Sequence, residues 1–262
     1  MKSVVITGSS RGLGFALAKS FLEHGCSVTI SGKNLDNLVR AQEKLNFVSR
    51  TVQAVLCDVR SWPDVSRLWH EAQDHWGRVD IWINNAGINQ PDLYLWELST
   101  VDTNNLLQTN LSGLIYGSQV AMQGMMSQQG GQIYNVEGFG NNGMMRTGLN
   151  LYGTSKRAVS HFTRALAREA AGTGVQVGLL SPGMMVTDFI TGPIGESQVR
   201  KISAHTKSIF NILGDHPDEV GRFLVSRILR NRKNGVQLVW LTRSKAIFRL
   251  VKSTLVKRDL FS

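Results

Sequence analysis

Short, almost continuously apolar runs alternate with longer segments of helical period along most of the chain. The apolar runs predict strands at Ser3–Thr7, Ser27–Ser31, Thr51–Cys57, Val79–Asn84, Gly131–Val136, Gly174–Leu180 and Val236–Leu241. Between them the pattern predicts helices at Gly12–Glu23, Leu35–Leu45, Val65–Trp76, Thr103–Met126, Tyr152–Ala171 and Asp218–Arg230. Strands that are apolar at successive positions are covered on both faces. Their alternation with helices predicts an α/β, doubly wound architecture: a mostly parallel seven-stranded sheet with helices on both faces. No repeat or linker divides it, so residues 1–242 read as one domain. Residues 181–217 break the rhythm with Gly and Pro, and are expected to form a loop excursion, a substrate lid, at the carboxyl edge where open α/β sheets bind ligands. Residues 243–262 follow as a basic amphipathic segment, helical from Arg243 to Lys257.

At 262 residues and 29.0 kDa the chain suits one such domain. Its 42% hydrophobic content and mean hydropathy of −0.10 exclude collagenous and disordered classes. Cys26 and Cys57 are too few for a disulfide scaffold or a four-cysteine zinc site, and read as core residues in a reducing compartment. The six histidines show no metal-ligand spacing; His70 and His75, flanked by Trp69 and Trp76, read as helix-surface residues, and no metal is expected. Met1-Lys2 runs directly into the first strand, and no apolar stretch is long enough to span a bilayer, so the cytoplasm is the expected location.

Charge changes this picture at one end only. From Arg222 onward 11 basic residues accompany a single acid, Asp259, whereas residues 1–221 hold 18 of each sign. The whole net charge of +10 therefore lies in the last 41 residues. No recognised nucleic-acid module accompanies it, so nucleic acid is not an expected partner.

Candidate chemistry begins where the first strand ends. In Thr7-Gly8-Ser9-Ser10-Arg11-Gly12-Leu13-Gly14, Gly8 permits a tight turn, Gly12 lets backbone approach a pyrophosphate, and Gly14 lets helix and strand pack closely. The helix N-terminus then faces the anion, and the fold expected is Rossmann-like. The acid that would hold an adenosine ribose is missing: the second strand ends Ile30-Ser31-Gly32-Lys33. Arg11 and Lys33 bracket the place of a 2′-phosphate, which favours NADPH over NADH. Asp58-Val59 follows the third strand and Asn84-Asn85-Ala86-Gly87 the fourth. Tyr152 and Lys156, four residues apart at the start of a helix, share one face.

With these motifs the chain resembles the short-chain dehydrogenase/reductase family over essentially its whole length, through Thr7–Gly14, Asp58, Asn84–Gly87, Asn110, Tyr152/Lys156 and Pro182-Gly183 followed by Thr187. A narrower resemblance, to the chlorophyll(ide) b reductases, rests on Ile133–Gly138, Ser181–Met184, Ile209–Ile212 and the last strand with its basic helix. The resemblance implies NADPH or NADP+ held by Gly8, Ser10, Arg11, Gly12, Leu13, Gly14, Lys33, Asp58, Val59, Asn85, Ala86, Gly87, Tyr152, Lys156, Pro182, Gly183 and Thr187. It implies Tyr152 as the proton donor in carbonyl reduction, Lys156 as the cation that stabilises its phenolate, and Asn110 as support for a water chain. A cation about 4 Å from the phenol supplies ~4 kcal/mol at an effective dielectric near 20, enough for ~3 units of tyrosine pKa.

One departure stands out. The family carries two serines after the fifth strand, the second donating to the substrate carbonyl; here Glu137 and Gly138 occupy those positions. Asn141, Asn142 or a protonated Glu137 are the candidate replacements, Glu137 thus joining the catalytic set. The narrower resemblance implies reduction of a formyl group on a chlorophyll b-like tetrapyrrole, with Met184-Met185, Phe189-Ile190 and Ile209–Leu213 lining an apolar pocket. Two other readings stand beside it: a reductase of another apolar aldehyde or ketone, and a catalytically weak dinucleotide-binding scaffold. A homo-oligomer is expected. At the C-terminus, Ile247, Leu250, Val251 and Leu255 make one stripe with Phe248 at its border, and Lys245, Arg249 and Lys252 lie mostly off it. The stripe either packs on protein or makes peripheral membrane contact.

Overall fold

In the computed structural model, which describes residues 1–141, 143–187, 193–194, 198–199, 203–253 and 256–261, the predicted alternation is realised. The order is β1 (Ser3–Ile6), α1 (Gly12–Glu23), β2 (Ser27–Gly32), α2 (Leu35–Asn46), β3 (Val52–Leu56), α3 (Trp62–Trp76) and β4 (Ile81–Asn84). Then come α4 (Thr100–Leu107), α5 (Gly113–Ser127), β5 (Gly131–Val136), α6 (Asn150–Glu169) and β6 (Val175–Ser181). After a two-stranded antiparallel hairpin, β7 (Pro193–Ile194) and β8 (Gln198–Val199), the chain ends with α7 (Ala204–Leu213), α8 (Pro217–Arg230), β9 (Gln237–Val239) and α9 (Arg243–Lys252). Seven strands form one sheet, β3-β2-β1-β4-β5-β6-β9, and all its pairings are parallel rather than mostly so.

Residue parity explains the two-sided burial. Val4 and Ile6 of β1 and Ile81 and Ile83 of β4 pack with Leu17, Phe21, Leu224 and Ile228 of α1 and α8. Val5 and Trp82 point the other way, to Val65, Leu68 and Trp69 of α3 and Val120 and Ala121 of α5. Trp69, expected beside surface histidines, is buried in this second layer. Each fully buried Leu, Ile or Phe contributes roughly 1.5–3 kcal/mol.

Two expectations are corrected. The helix predicted over Thr103–Met126 is broken by a π-helical turn at Gln108–Ser112, which places Asn110 in the interior. One inserted residue leaves the hydrophobic period almost intact, so the sequence does not reveal it. The excursion 181–217 is not all loop: α7 lies within it, started by Ser203, whose hydroxyl accepts from the Thr206 amide at 3.1 Å. No helix among the described residues is long and apolar enough to cross a membrane.

Candidate active site

The strand order reverses at β1, with β2 on one side and β4 on the other, and this opens a crevice beyond their carboxyl ends. Gly8 and Gly12 both adopt left-handed φ, +61° and +58°, which β-carbons disfavour. A β-carbon on Gly8 would lie 2.7 Å from Ala86 Cα, and one on Gly14 would lie 2.6 Å from Gly8 O. Gly12 instead faces open space with Thr187 opposite, nearly 4 Å from a built Cβ. The Arg11 side chain makes no cap to α1, whose first-turn amides, those of Gly12, Leu13 and Gly14, point into this crevice. A glycine-walled cradle at a helix N-terminus fits a dinucleotide pyrophosphate.

Asn85 braces the turn: its Nδ2 donates to Thr7 O at 3.0 Å and Gly8 O at 2.9 Å, while Thr7 Oγ1 accepts from the Asn85 and Ala86 amides. The Asn85 side chain is thus committed to protein, leaving backbone around Ala86 and Gly87 to line the crevice. At the adenosine end, a β-carbon on Gly32 would face Ser10 Oγ at 3.5 Å, and both Arg11 and Lys33 are exposed. Asp58 is held by Arg60, with Nη2 to Oδ2 at 2.6 Å, and this bond keeps its carboxyl below the ordinary range. Val59 sits in the core, where the absence of a side chain on Gly113 makes room for it. Gly183, with φ +74°, lies against Leu241 and leads toward Thr187.

Tyr152 and Lys156 share one face of α6, and both are buried. Gln90, itself 2% exposed, fixes the helix start: its Oε1 accepts from the Tyr152 amide at 2.7 Å and its Nε2 donates to Gly148 O at 2.7 Å. Nothing in the sequence singles out Gln90, because its partners lie 62 and 58 residues away. Asn110 accepts from the Ile88 amide at 2.8 Å and donates to Ile88 O and Ser155 Oγ. Its side chain is therefore a brace between the Gly87 turn and α6, rather than a group held out toward solvent. A β-carbon on Gly87 would lie 3.6 Å from Lys156 Nζ, so the ammonium borders the crevice.

The electrostatics differ from the simple Tyr–Lys arithmetic. Lys156 Nζ donates to Val136 O at 3.2 Å and lies 5.8 Å from the Tyr152 ring centroid. Burial pushes the Tyr152 phenol up. Burial also lowers Lys156, to about 8, against the opposing pull of the Glu137 charge. In this arrangement the pair is held as neutral phenol and weakened ammonium, the protonation state from which a proton donor starts.

Glu137 is not a donor aimed at a substrate. Its carboxylate, 2% exposed, accepts from Ser160 Oγ at 2.8 Å, from Gln237 Nε2 at 2.7 Å and from Ser181 Oγ. Three donors suit an ionised acceptor, and they fasten the end of β5 to α6, β6 and β9 beneath Lys156. Gly138 is the residue against the phenol: a β-carbon there would lie 2.5 Å from Tyr152 Oη. The tyrosine hydroxyl occupies the space a serine would need. Asn141 lies in the turn after Gly138; Asn142 and Phe189-Ile190 fall outside the described residues. Of the remaining expected lining, Met184, Met185, Ile209 and Ile212 are partly buried and Phe210 is buried.

Apolar side chains are exposed in the segment that follows the Gln90 brace. Leu93, Tyr94, Leu95 and Trp96 are exposed, with Tyr94 and Trp96 stacked 4.9 Å apart. Met144 and Met145 are exposed on the facing loop, tied across by Arg146 and Asp92 at 3.3 Å.

Comparison with known proteins agrees with this geometry. A family model described as short chain dehydrogenase matches residues 2–194. The chain is 33% identical over 268 residues to the "Probable chlorophyll(ide) b reductase NYC1, chloroplastic" of Oryza sativa subsp. japonica, covering 95% of this chain and 52% of that protein. It is 35% identical over 233 residues to the "Chlorophyll(ide) b reductase NOL, chloroplastic" of the same plant, covering 86% and 66%. The chain thus spans about half to two thirds of the length of these relatives. Among solved structures, a 3-ketoacyl-(acyl-carrier-protein) reductase from Brucella melitensis complexed with NADH superposes with a TM-score of 0.80, at 22% identity over 93% of this chain and 98% of that one.

Proposed function

The chain belongs to the short-chain dehydrogenase family, and from that premise we propose that it is an NADPH-dependent carbonyl reductase, converting a formyl group on a chlorophyll b-like tetrapyrrole to hydroxymethyl. The observation that carries the reading is the meeting of Tyr152, Lys156 and the Asn110-braced Gly87 turn at one crevice with the glycine cradle of α1. When bound there, the nicotinamide supplies the hydride. Tyr152 gives its phenolic proton to the carbonyl oxygen, and the Lys156 ammonium bears the resulting phenolate charge. One proton from solvent restores the phenol, so an aldehyde, a hydride and a proton become a primary alcohol.

Arg11 and Lys33, without an acid at the end of β2, support a 2′-phosphate and hence NADPH. The exposed aromatic and methionine side chains support a flat apolar substrate, since such groups offer area without demanding hydrogen bonds. The test is to follow NADPH consumption with chlorophyll b, chlorophyllide b and a panel of simple aldehydes and ketones. Formation of the hydroxymethyl pigment is the expected result. Reduction of small ketones with no pigment turnover would overturn the substrate; tight NADPH binding with no turnover of anything would leave the scaffold reading.

A further inference from the structure

The last helix is inside out. In α9, Arg249 points to the domain with its side chain 15% exposed, while Ile247, Phe248 and Leu250 are 62%, 64% and 50% exposed. Arg249 lies opposite Ile247 on the helical wheel, so the charged side is packed and the apolar side faces out. What holds this attitude is Asp215, 1% exposed: it accepts from Arg249 Nη1 at 2.7 Å and Nη2 at 2.8 Å, from Trp240 Nε1 at 2.6 Å and from Arg258 Nη2 at 3.3 Å. A bidentate pair of this kind fixes orientation as well as contact. Arg249 also donates to Leu213 O at the end of α7.

We propose that the outward face of α9 docks on an anionic lipid bilayer. Ten helical residues are too short to cross a bilayer but suit lying along its interface, apolar face down and cations among the headgroups. Arg243 stands at the edge of the apolar arc, Lys252 beside it and Lys257 just beyond, all exposed. The charge matches: residues 1–221 are balanced, and from Arg243 onward Arg243, Lys245, Arg249, Lys252, Lys257 and Arg258 stand against Asp259 alone. A second copy of the chain is the poorer occupant, because a two-fold contact through this face would bring two patches of the same positive sign together. Asp215 also pairs by backbone with Met184 and Val186, at 3.1 and 3.2 Å, so α9 is fastened to the segment between Gly183 and Thr187. Docking through α9 would therefore tie the segment after β6 to a lipid-bound helix. This proposal does not depend on which carbonyl is reduced.

The test uses the full chain in co-sedimentation with vesicles of phosphatidylcholine alone and of phosphatidylcholine with phosphatidylglycerol, at low and high salt. Ile247→Ser/Phe248→Ser removes apolar area, and Arg243→Gln/Lys252→Gln removes charge; all four side chains are exposed, so melting temperature and NADPH binding should stay at wild-type values. Wild type should bind only the anionic vesicles, and more weakly at high salt. The serine variant should lose roughly tenfold or more in partitioning, and the glutamine variant, at about 1 kcal/mol per cation, roughly thirtyfold at low salt. Absence of wild-type binding at low salt, equal binding to neutral vesicles, or unchanged binding by the serine variant would each overturn the proposal. So would a serine variant whose only change, by light scattering, is a smaller oligomer.

Discussion

Gly138→Ser introduces the serine that the family resemblance leads one to expect at this position, and the structure implies that it slows the reaction rather than speeding it. The new β-carbon would lie 2.5 Å from Tyr152 Oη, and 3.3 and 3.4 Å from Lys156 Cγ and Cδ. Ordinary contact begins near 3.4 Å, so the phenolic oxygen must retreat by about 0.9 Å. Gly138 lies outside the left-handed region, and the group displaced is the tip of a side chain, so the fold bears little strain. The reacting atom bears the whole shift. A misplacement of about 1 Å costs on the order of a hundredfold in rate, or ~2.7 kcal/mol in the barrier. Single-turnover reduction with saturating NADPH should therefore slow about a hundredfold, with cofactor affinity and melting temperature unchanged. Gly138→Ala separates the causes, because the clash comes from Cβ and not from a hydroxyl: alanine should be as harmful as serine. A serine variant as fast as wild type, or much faster than alanine, would refute the steric reasoning and show that the site merely lacks a donor.

Tyr152→Phe should abolish turnover and leave NADPH affinity within about twofold by fluorescence titration, since the ring stays and only the proton is lost. Arg11→Ala/Lys33→Ala should erase a preference for NADPH over NADH, each lost charge-assisted contact costing ~1.5–3 kcal/mol; equal dissociation constants for the two cofactors in wild type would sink the 2′-phosphate site. The reduction rate should fall as pH rises through the Lys156 value of about 8. Because the Glu137 charge raises Lys156, Glu137→Gln should move that falling limb to lower pH, and a limb that stays in place would disconnect the two groups.

The layers of the fold were legible because strands buried on both faces must be apolar at successive positions, as Val4-Val5-Ile6 and Ile81-Trp82-Ile83 are. The glycine turn and the Tyr152/Lys156 pair were legible because each is local in sequence. The sequence leaves Glu137 among three candidate donors, with Asn141 and Asn142, because its orientation is set by Ser160, Ser181 and Gln237, at separations of 23, 44 and 100 residues, none of which marks itself as a partner. The α7 helix was missed because Ala204, His205, Lys207 and Ser208 are exposed and supply no apolar onset. Of the stripe expected in the last helix, Ile247, Leu250 and Val251 lie on α9, which ends at Lys252, and Leu255 falls outside the described residues; a stripe alone does not say which side the domain holds.

Glu137 and Gly138 shape the same corner of the site. A buried carboxylate beneath the site is tolerable only when its charge is fully hydrogen-bonded, and Ser160, Ser181 and Gln237 supply the donors. Two of those anchor points lie on β6 and β9, directly before Pro182-Gly183 and before Trp240, and Trp240 in turn donates to Asp215. The carboxylate thus ties the catalytic helix to the strands from which the lid and the last helix depart. Gly138 offers no side-chain donor to a substrate, and its lack of a β-carbon lets the Tyr152 phenol sit against the backbone. The hydroxyl that transfers the proton then lies where the β-carbon of any other residue at 138 would come. A site organised this way leaves the substrate carbonyl without a hydrogen-bond donor from the residue 138 side chain.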